Sequence, residues 1–261
     1  MSSSPMTFAR IKQGLLRRMH QAKTWLLRKG SRRPSEEAQL RLRILDRVSQ
    51  LGRWYEDGNS DLVQFTYHPI PFPGFEGVNS HRKKMYDRLA AIVAEIGPMQ
   101  GEWILDIGAN VGYFSFSLER LGAVVEAYEI NSDTFEIGAA LSKLHRTNVL
   151  YINKAFGTPA LAYLRPRYKA VLLLSVFHWI VKQEGIEASA RLLQQLAERS
   201  DLIFFETPCT EAEGMFLHQA FSSQQAVENF LRQILPRARL TTICQDQSWG
   251  ARNLYRIDTR T

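Results

Sequence analysis

The sequence predicts an α/β protein: a mostly parallel, doubly wound sheet with helices on both faces and a helical N-terminal extension. Three observations predict it. From Glu102 onward, short apolar runs alternate with segments of helical periodicity. The turn Leu105-Asp106-Ile107-Gly108-Ala109-Asn110-Val111-Gly112 joins the first run to the first helix. An acid, Glu129, closes the second run 21 positions after Gly108. Helical crossovers between strands return the chain to the same edge, so the strands run parallel.

Between Thr7 and Gly30, Phe8, Ile11, Leu15, Met19, Ala22 and Leu26 recur every three or four residues among basic side chains, with Trp25 near the far end. This spacing predicts a basic amphipathic helix. Residues 1–33 hold nine Lys and Arg and no acid, so of the chain's net +7 this tail carries +9 and the remainder −2. Packing on the domain, binding an anionic membrane surface and gripping nucleic-acid phosphates are the roles such a helix can take. Gly30–Pro34 breaks the pattern, and a second helix is expected over Ser35–Leu51, with Glu36 and Glu37 in its first turn. Leu62–Tyr67 reads as a strand, and the proline- and aromatic-rich His68–Phe75 as irregular. A further helix begins at His81-Arg82-Lys83-Lys84 and runs to Ile96, with Met85, Leu89, Ile92, Val93 and Ile96 on its apolar face.

In the body, strands are expected over 102–107, 124–130, 149–155, 170–177 and 201–207, with helices over 113–121, 133–145, 158–164, 184–199 and 223–235. A terminal hairpin, 239–245 and 251–257, is joined by Asp246–Gly250. A chain of 261 residues buries roughly three quarters of its unfolded surface, enough for one large core.

Open parallel sheets bind ligands beyond the carboxyl ends of their strands, which makes strand-end residues the candidates. Gly108 and Gly112 permit positive φ and close approach of a ligand, and the amides at the helix start attract negative charge. The glycines lack the full G-x-G-x-x-G dinucleotide spacing, and Asp106 would repel a pyrophosphate. The same carboxylate suits the ammonium and sulfonium of S-adenosylmethionine (SAM), whose own carboxylate can face the helix start. Glu129, at the end of the neighbouring strand, can accept hydrogen bonds from both ribose hydroxyls.

The wording DIGANVGYFSF followed by AYEINSDTF resembles the class I SAM-dependent methyltransferases, and in particular the FkbM-type and related sugar and small-molecule methyltransferases. The resemblance covers about residues 85–257. It implies a Rossmann-like seven-stranded methyltransferase sheet over residues 101–261, preceded by a helical or lid extension over 34–100 and the basic tail over 1–33. In that family the segment upstream of the sheet often closes over the cofactor, so His68–Phe75 is either such a lid or a plain connector. SAM is the implied cofactor, with contacts at Asp106, Gly108, Asn110, Gly112, Glu129, Ile130, Phe156 and Ser175. Asn110 stands where many members carry glycine.

The third strand ends in Lys154-Ala155-Phe156-Gly157, without the acid that many members aim at the adenine amino group. Backbone groups and Phe156 are left for the base. The segment SVFHWI, residues 175–180, is similar to the SVxxH or SVxxW wording of several members, and such a segment faces the transferred methyl. His178 is therefore expected to take the proton of an acceptor hydroxyl, since an ordinary histidine titrates near neutral pH. Trp179 and Glu206 are expected on the acceptor side, and His68, His81, His145 and His218 as surface or loop histidines.

Cys209 and Cys244 have neither metal-ligand spacing nor a disulfide framework, so no metal is expected and a reducing compartment fits. No run of 18 apolar residues occurs, and basic residues interrupt the amino-terminal pattern throughout, unlike a secretory signal. The expectation is a cytoplasmic enzyme, peripheral at the membrane through residues 1–33, that methylates a hydroxyl of a sugar, glycoconjugate or other small acceptor. An RNA methyltransferase and a non-catalytic SAM-binding adaptor are the alternatives.

Overall fold

The structure is a computed structural model that describes residues 35–54, 65–80, 85–209, 221–246 and 252–260. The basic helix expected within Thr7–Gly30 lies outside the described residues, as do His81 and His218. In chain order the elements are helix α1 (Glu36–Trp54), the two-residue strands β1 (Phe65–Thr66) and β2 (Asn79–Ser80), helix α2 (Met85–Ile96) and strand β3 (Trp103–Ile107). Then come α3 (Tyr113–Glu119), β4 (Val124–Glu129), α4 (Ser132–His145), β5 (Leu150–Asn153), a 3-10 turn (Thr158–Tyr163) and β6 (Tyr168–Leu174). The chain continues through α5 (Phe177–Glu184), α6 (Ile186–Glu198), β7 (Ser200–Glu206), α7 (Gln224–Ile234), β8 (Arg239–Asp246) and β9 (Arg252–Asp258).

Seven strands form one sheet in the order β5-β4-β3-β6-β7-β9-β8. The first five are parallel, and β9 runs antiparallel to both β7 and β8. Winding goes outward from β3 through β4 to β5, then returns to the other side of β3 through β6 and β7. The direction reverses between β3 and β6, and a crevice opens at their carboxyl ends.

Side chains alternate across the strands, and both faces are covered. Ile104, Leu172 and Phe204 point to one layer, where they meet Ile44 and Val48 of α1, Ile92 of α2 and Leu141 of α4. Leu105, Leu173 and Phe205 point to the other, with Phe177 of α5, Leu193 of α6 and Val227 of α7. Helix α1 is fastened to α4 from outside by Arg47 on Asp133 (3.2 Å) and Glu136, and by Lys143 on Glu36. These exposed pairs are each worth less than about 1 kcal/mol, so the apolar stripe of α1 holds it in position.

Of the strand expected over Leu62–Tyr67, residues 62–64 lie outside the described residues, Phe65–Thr66 form β1 in parallel with β2, and Tyr67 is already past its end. One expectation needs correction. The strand expected over 170–177 stops at Leu174, because Ser175 takes a left-handed φ of 57°. Phe177-His178-Trp179-Ile180 is therefore the first turn of α5, and Gly185 separates α5 from α6. The irregular His68–Phe75 stretch is anchored in the core. His68, Ile70, Phe72 and Phe75 are all buried, and the Phe72 ring stacks on His145 with centroids 3.7 Å apart. Arg120 lies over the same Phe72 ring and donates to the Pro71 carbonyl at 2.7 Å. His68 is accordingly a buried loop histidine, edge-on to Phe114.

Candidate active site

The turn between β3 and α3 is left-handed at three of five consecutive positions: Gly108 (φ 78°), Asn110 (φ 53°) and Gly112 (φ 91°). A Cβ on Gly108 would lie 2.9 Å from the Val176 side chain. One on Gly112 would overlap the Phe116 ring and the Tyr151 hydroxyl. Both glycines are thus required by conformation and by space. The turn is fastened to β4 by the amides of Gly108 and Ala109, which both donate to the Tyr128 carbonyl at 2.9 Å.

Glu129 ends β4 against this turn and is 6% exposed. Its Oε2 accepts the Asn110 amide and its Oε1 the Asn131 amide, each at 2.7 Å. Burial raises its pKa, and the two amides oppose that shift. Hydrogen bonds from the Thr134 side chain and the Ile130 backbone add to this stabilisation of the charged form; a carboxylate offers about four acceptor positions, the kind of group a vicinal diol can donate to. Asn110 is held from the other side by the Tyr151 hydroxyl, which donates to its carbonyl at 3.3 Å. The buried Oδ1 of Asn110 has no partner among the described residues. A buried polar atom without a partner, on a residue whose amide is bonded to Glu129, fits a site built for a polar ligand.

Asp106 differs from the sequence reading in its surroundings. It is 2% exposed, and its Oδ2 accepts the Ser115 hydroxyl at 2.6 Å, so the carboxylate braces the first turn of α3 from beneath. Burial raises its pKa to about 6, with the Ser115 bond opposing and the charge of Glu129 adding to the rise. An acid whose folded pKa exceeds its ordinary 3.8 binds its proton more tightly in the native state. Its contribution to stability is full below about pH 3.8 and falls as pH rises through about 6. Asp106→Asn should therefore remove a loss of roughly 3 kcal/mol between pH 4 and 7. Denaturant unfolding of both proteins across that range checks it; parallel stability curves would contradict it.

Glu206 is not open to an acceptor. It is 1% exposed, with Oε2 on Arg88 Nη2 at 2.7 Å and Oε1 receiving the Ser175 hydroxyl at 2.5 Å. Arg252 approaches the same carboxylate and donates to Ser175 Oγ at 2.8 Å. Removing one partner of such a buried charge network costs about 3–5 kcal/mol, and the network pins the left-handed Ser175 where β6 turns into α5. The Ser175 hydroxyl is thereby engaged twice, and its amide donates to the Glu206 carbonyl at 2.8 Å. Arg88 does carry a sequence signal: its position puts it on the buried face of α2 with Met85, Ile92 and Ile96.

At the carboxyl ends of β3, β4 and β5 a cleft is lined by Gly108, Ile130, Phe156, Val176, Trp179 and Gln183, among others. Ile130 is 57% exposed at the rim, whereas Phe156 is buried edge-on against Tyr128. Trp179, expected on the acceptor side, lines this same cleft with Ile130 and Phe156. His178 is buried on α5, and its Nδ1 has no partner among the described residues. Burial first, then the charge of Arg252, lowers its pKa to about 3. Among these groups, Tyr151 and Gln183 were not anticipated. Gly138, whose absent Cβ makes room for the Tyr151 ring, is the trace Tyr151 leaves in the sequence.

No family model matches the chain. The O-antigen chain terminator bifunctional methyltransferase/kinase WbdD of Escherichia coli is 28% identical over 109 residues, which are 41% of this chain and 15% of that relative. The 2.2 Å crystal structure of WbdD superposes with a TM-score of 0.59 at 20% identity, covering 74% of this chain and 44% of that one. The N-terminal domain of EvdMO1, crystallised in the presence of SAH (S-adenosylhomocysteine) and D-fucose, superposes with a TM-score of 0.53 at 15% identity, covering 82% of this chain and 95% of that one. The chain has the Rossmann-like methyltransferase fold. The chain spans less than half of WbdD, so that relative's two activities describe WbdD, and what the superposition shows in common is the fold.

Proposed function

We propose that this chain is a SAM-dependent methyltransferase acting on a hydroxyl group of a sugar or glycoconjugate. One observation carries the reading: the buried Glu129 carboxylate ends β4 against a turn that glycine keeps open at Gly108 and Gly112. The likeness to WbdD, a methyltransferase/kinase, and to an EvdMO1 domain crystallised in the presence of SAH and D-fucose supports it, as does the resemblance of the motifs. When bound, SAM supplies an electrophilic methyl carbon on a sulfonium. Glu129 would take the ribose hydroxyls, Gly108, Asn110 and Gly112 the amino-acid part, and Ile130 and Phe156 the base. Holding donor and acceptor in line makes the displacement effectively unimolecular. His178 would receive the hydroxyl proton as the C–O bond forms and the C–S pair leaves with sulfur.

The test is transfer of radiolabel from SAM to a panel of free sugars, nucleotide sugars, glycolipids and RNA. Label is expected in the sugar-containing fractions. Label in RNA alone would replace this reading by an RNA methyltransferase, and tight SAM binding without any transfer would favour an adaptor.

No described helix is long and apolar enough to cross a membrane. The nine basic residues of 1–33 support peripheral docking on an anionic, cytoplasmic membrane face, each contributing on the order of 1 kcal/mol near such a surface. The full chain should sediment with vesicles rich in anionic lipid at low salt and be released as salt rises; deletion of residues 1–33 should abolish binding. Equal sedimentation of both forms would remove the tail from this role.

A further inference from the structure

We infer that the carboxamide of Gln183 recognises the adenine edge of the cofactor, an inference that rests on the SAM reading of the cleft. Val176, Trp179, Ile180 and Gln183 are spaced three, one and three residues apart, so they share one side of α5 and the turn that leads into it; all four line the cleft. This face starts against Gly108, which Val176 touches, and is apolar up to its last member, where it presents an amide. The far end of α5 is held in place: Glu184 accepts the Thr158 amide at 3.0 Å and the Thr158 hydroxyl at 2.8 Å.

A purine has two apolar faces and a polar edge. Ile130, Phe156 and Trp179 offer surfaces for the faces. The edge needs partners, because burying an amino group and a ring nitrogen without hydrogen bonds is costly. Neighbouring polar side chains are otherwise engaged. Asn153 Nδ2 donates to the carbonyls of Glu129 (2.8 Å) and Ile130 (3.3 Å). The Lys154 ammonium lies 4.8 Å over the Tyr163 ring, and that of Lys182 lies 5.2 Å over Trp179. Lysine is also a donor only and cannot accept from an amino group. The Gln183 carboxamide carries an acceptor and a donor side by side, the complement of the adenine N6 amino group and its neighbouring ring nitrogen. No acid lines this end of the cleft among the described residues.

Calorimetry of S-adenosylhomocysteine and of its purine analogue lacking the 6-amino group, on the full wild-type chain and on Gln183→Leu, tests the assignment. The wild type should bind the adenine ligand about tenfold more tightly than the analogue. Gln183→Leu should weaken the adenine ligand about tenfold and bind the two ligands within about twofold of each other. Gln183 is exposed, so the variant should unfold at the wild-type temperature. Undiminished discrimination in Gln183→Leu, or no discrimination in the wild type, overturns the inference while leaving the SAM reading intact. A folded wild-type protein that binds neither ligand overturns both.

Discussion

His178→Ala should lower methyl-transfer turnover about a hundredfold while SAM affinity stays within a few-fold. A positioned base contributes roughly 10²–10⁴-fold, and the lower end applies here because burial and Arg252 bring the imidazole to a pKa of about 3. A base that weak gains little driving force from taking a proton, but it is never silenced by protonation near neutral pH. The pH profile separates this from a solvated histidine, whose rate would fall below about pH 6.5. Here the wild-type rate should stay flat from pH 8 to about 5. The stability sign is the reverse of that for Asp106. A histidine pKa depressed below its ordinary 6.5 means the native state binds fewer protons, so this group's contribution is full above pH 6.5 and is lost as pH falls toward 3. Near-normal turnover in His178→Ala, with the sugar acceptor found by labelling, would take the residue out of the chemistry.

The centre of the sheet was legible because β3, β4, β6 and β7 are short apolar runs bounded by polar or glycine turns, with both faces buried. The turn between β3 and α3 was legible for a related reason: a left-handed, closely packed turn needs glycine, and glycine is visible. Ser175 is the counterexample. Its positive φ has no sign in the sequence, since it is stabilised by Glu206 and Arg252, which lie 31 and 77 positions away. With that turn hidden, residues 170–177 read as a strand that exits through His178-Trp179-Ile180, and α5 was missed. The same distance effect hid the brace on Glu206. An acid at a strand end looks open to solvent until Arg88, from a helix far earlier in the chain, is seen to close over it. Asp106 was located correctly and its surroundings were not, because the Ser115 hydroxyl that receives its attention sits nine residues on, at a position ordinary in any helix.

Glu129→Ala should weaken SAM and S-adenosylhomocysteine binding by at least tenfold, the second large effect expected. Two charge-assisted bonds to the ribose would be lost, each worth about 1.5–3 kcal/mol at most. The substitution also frees the amides of Asn110 and Asn131, which now converge on the carboxylate and hold the left-handed Asn110 in place. Part of the loss is therefore a loosened turn, and a second variant divides the two contributions. Glu129→Gln keeps the shape and one carbonyl acceptor, but turns an amino group toward either an amide or a hydroxyl. It should recover part of the affinity lost in Glu129→Ala if ribose recognition dominates. If the two variants bind equally poorly, the turn is the larger share. Calorimetry reads the affinities, and thermal unfolding confirms that each protein is folded. Unchanged affinity in a folded Glu129→Ala protein, or tighter binding of NAD than of SAM by the wild type, would show that the cleft at the end of β4 holds a different ligand.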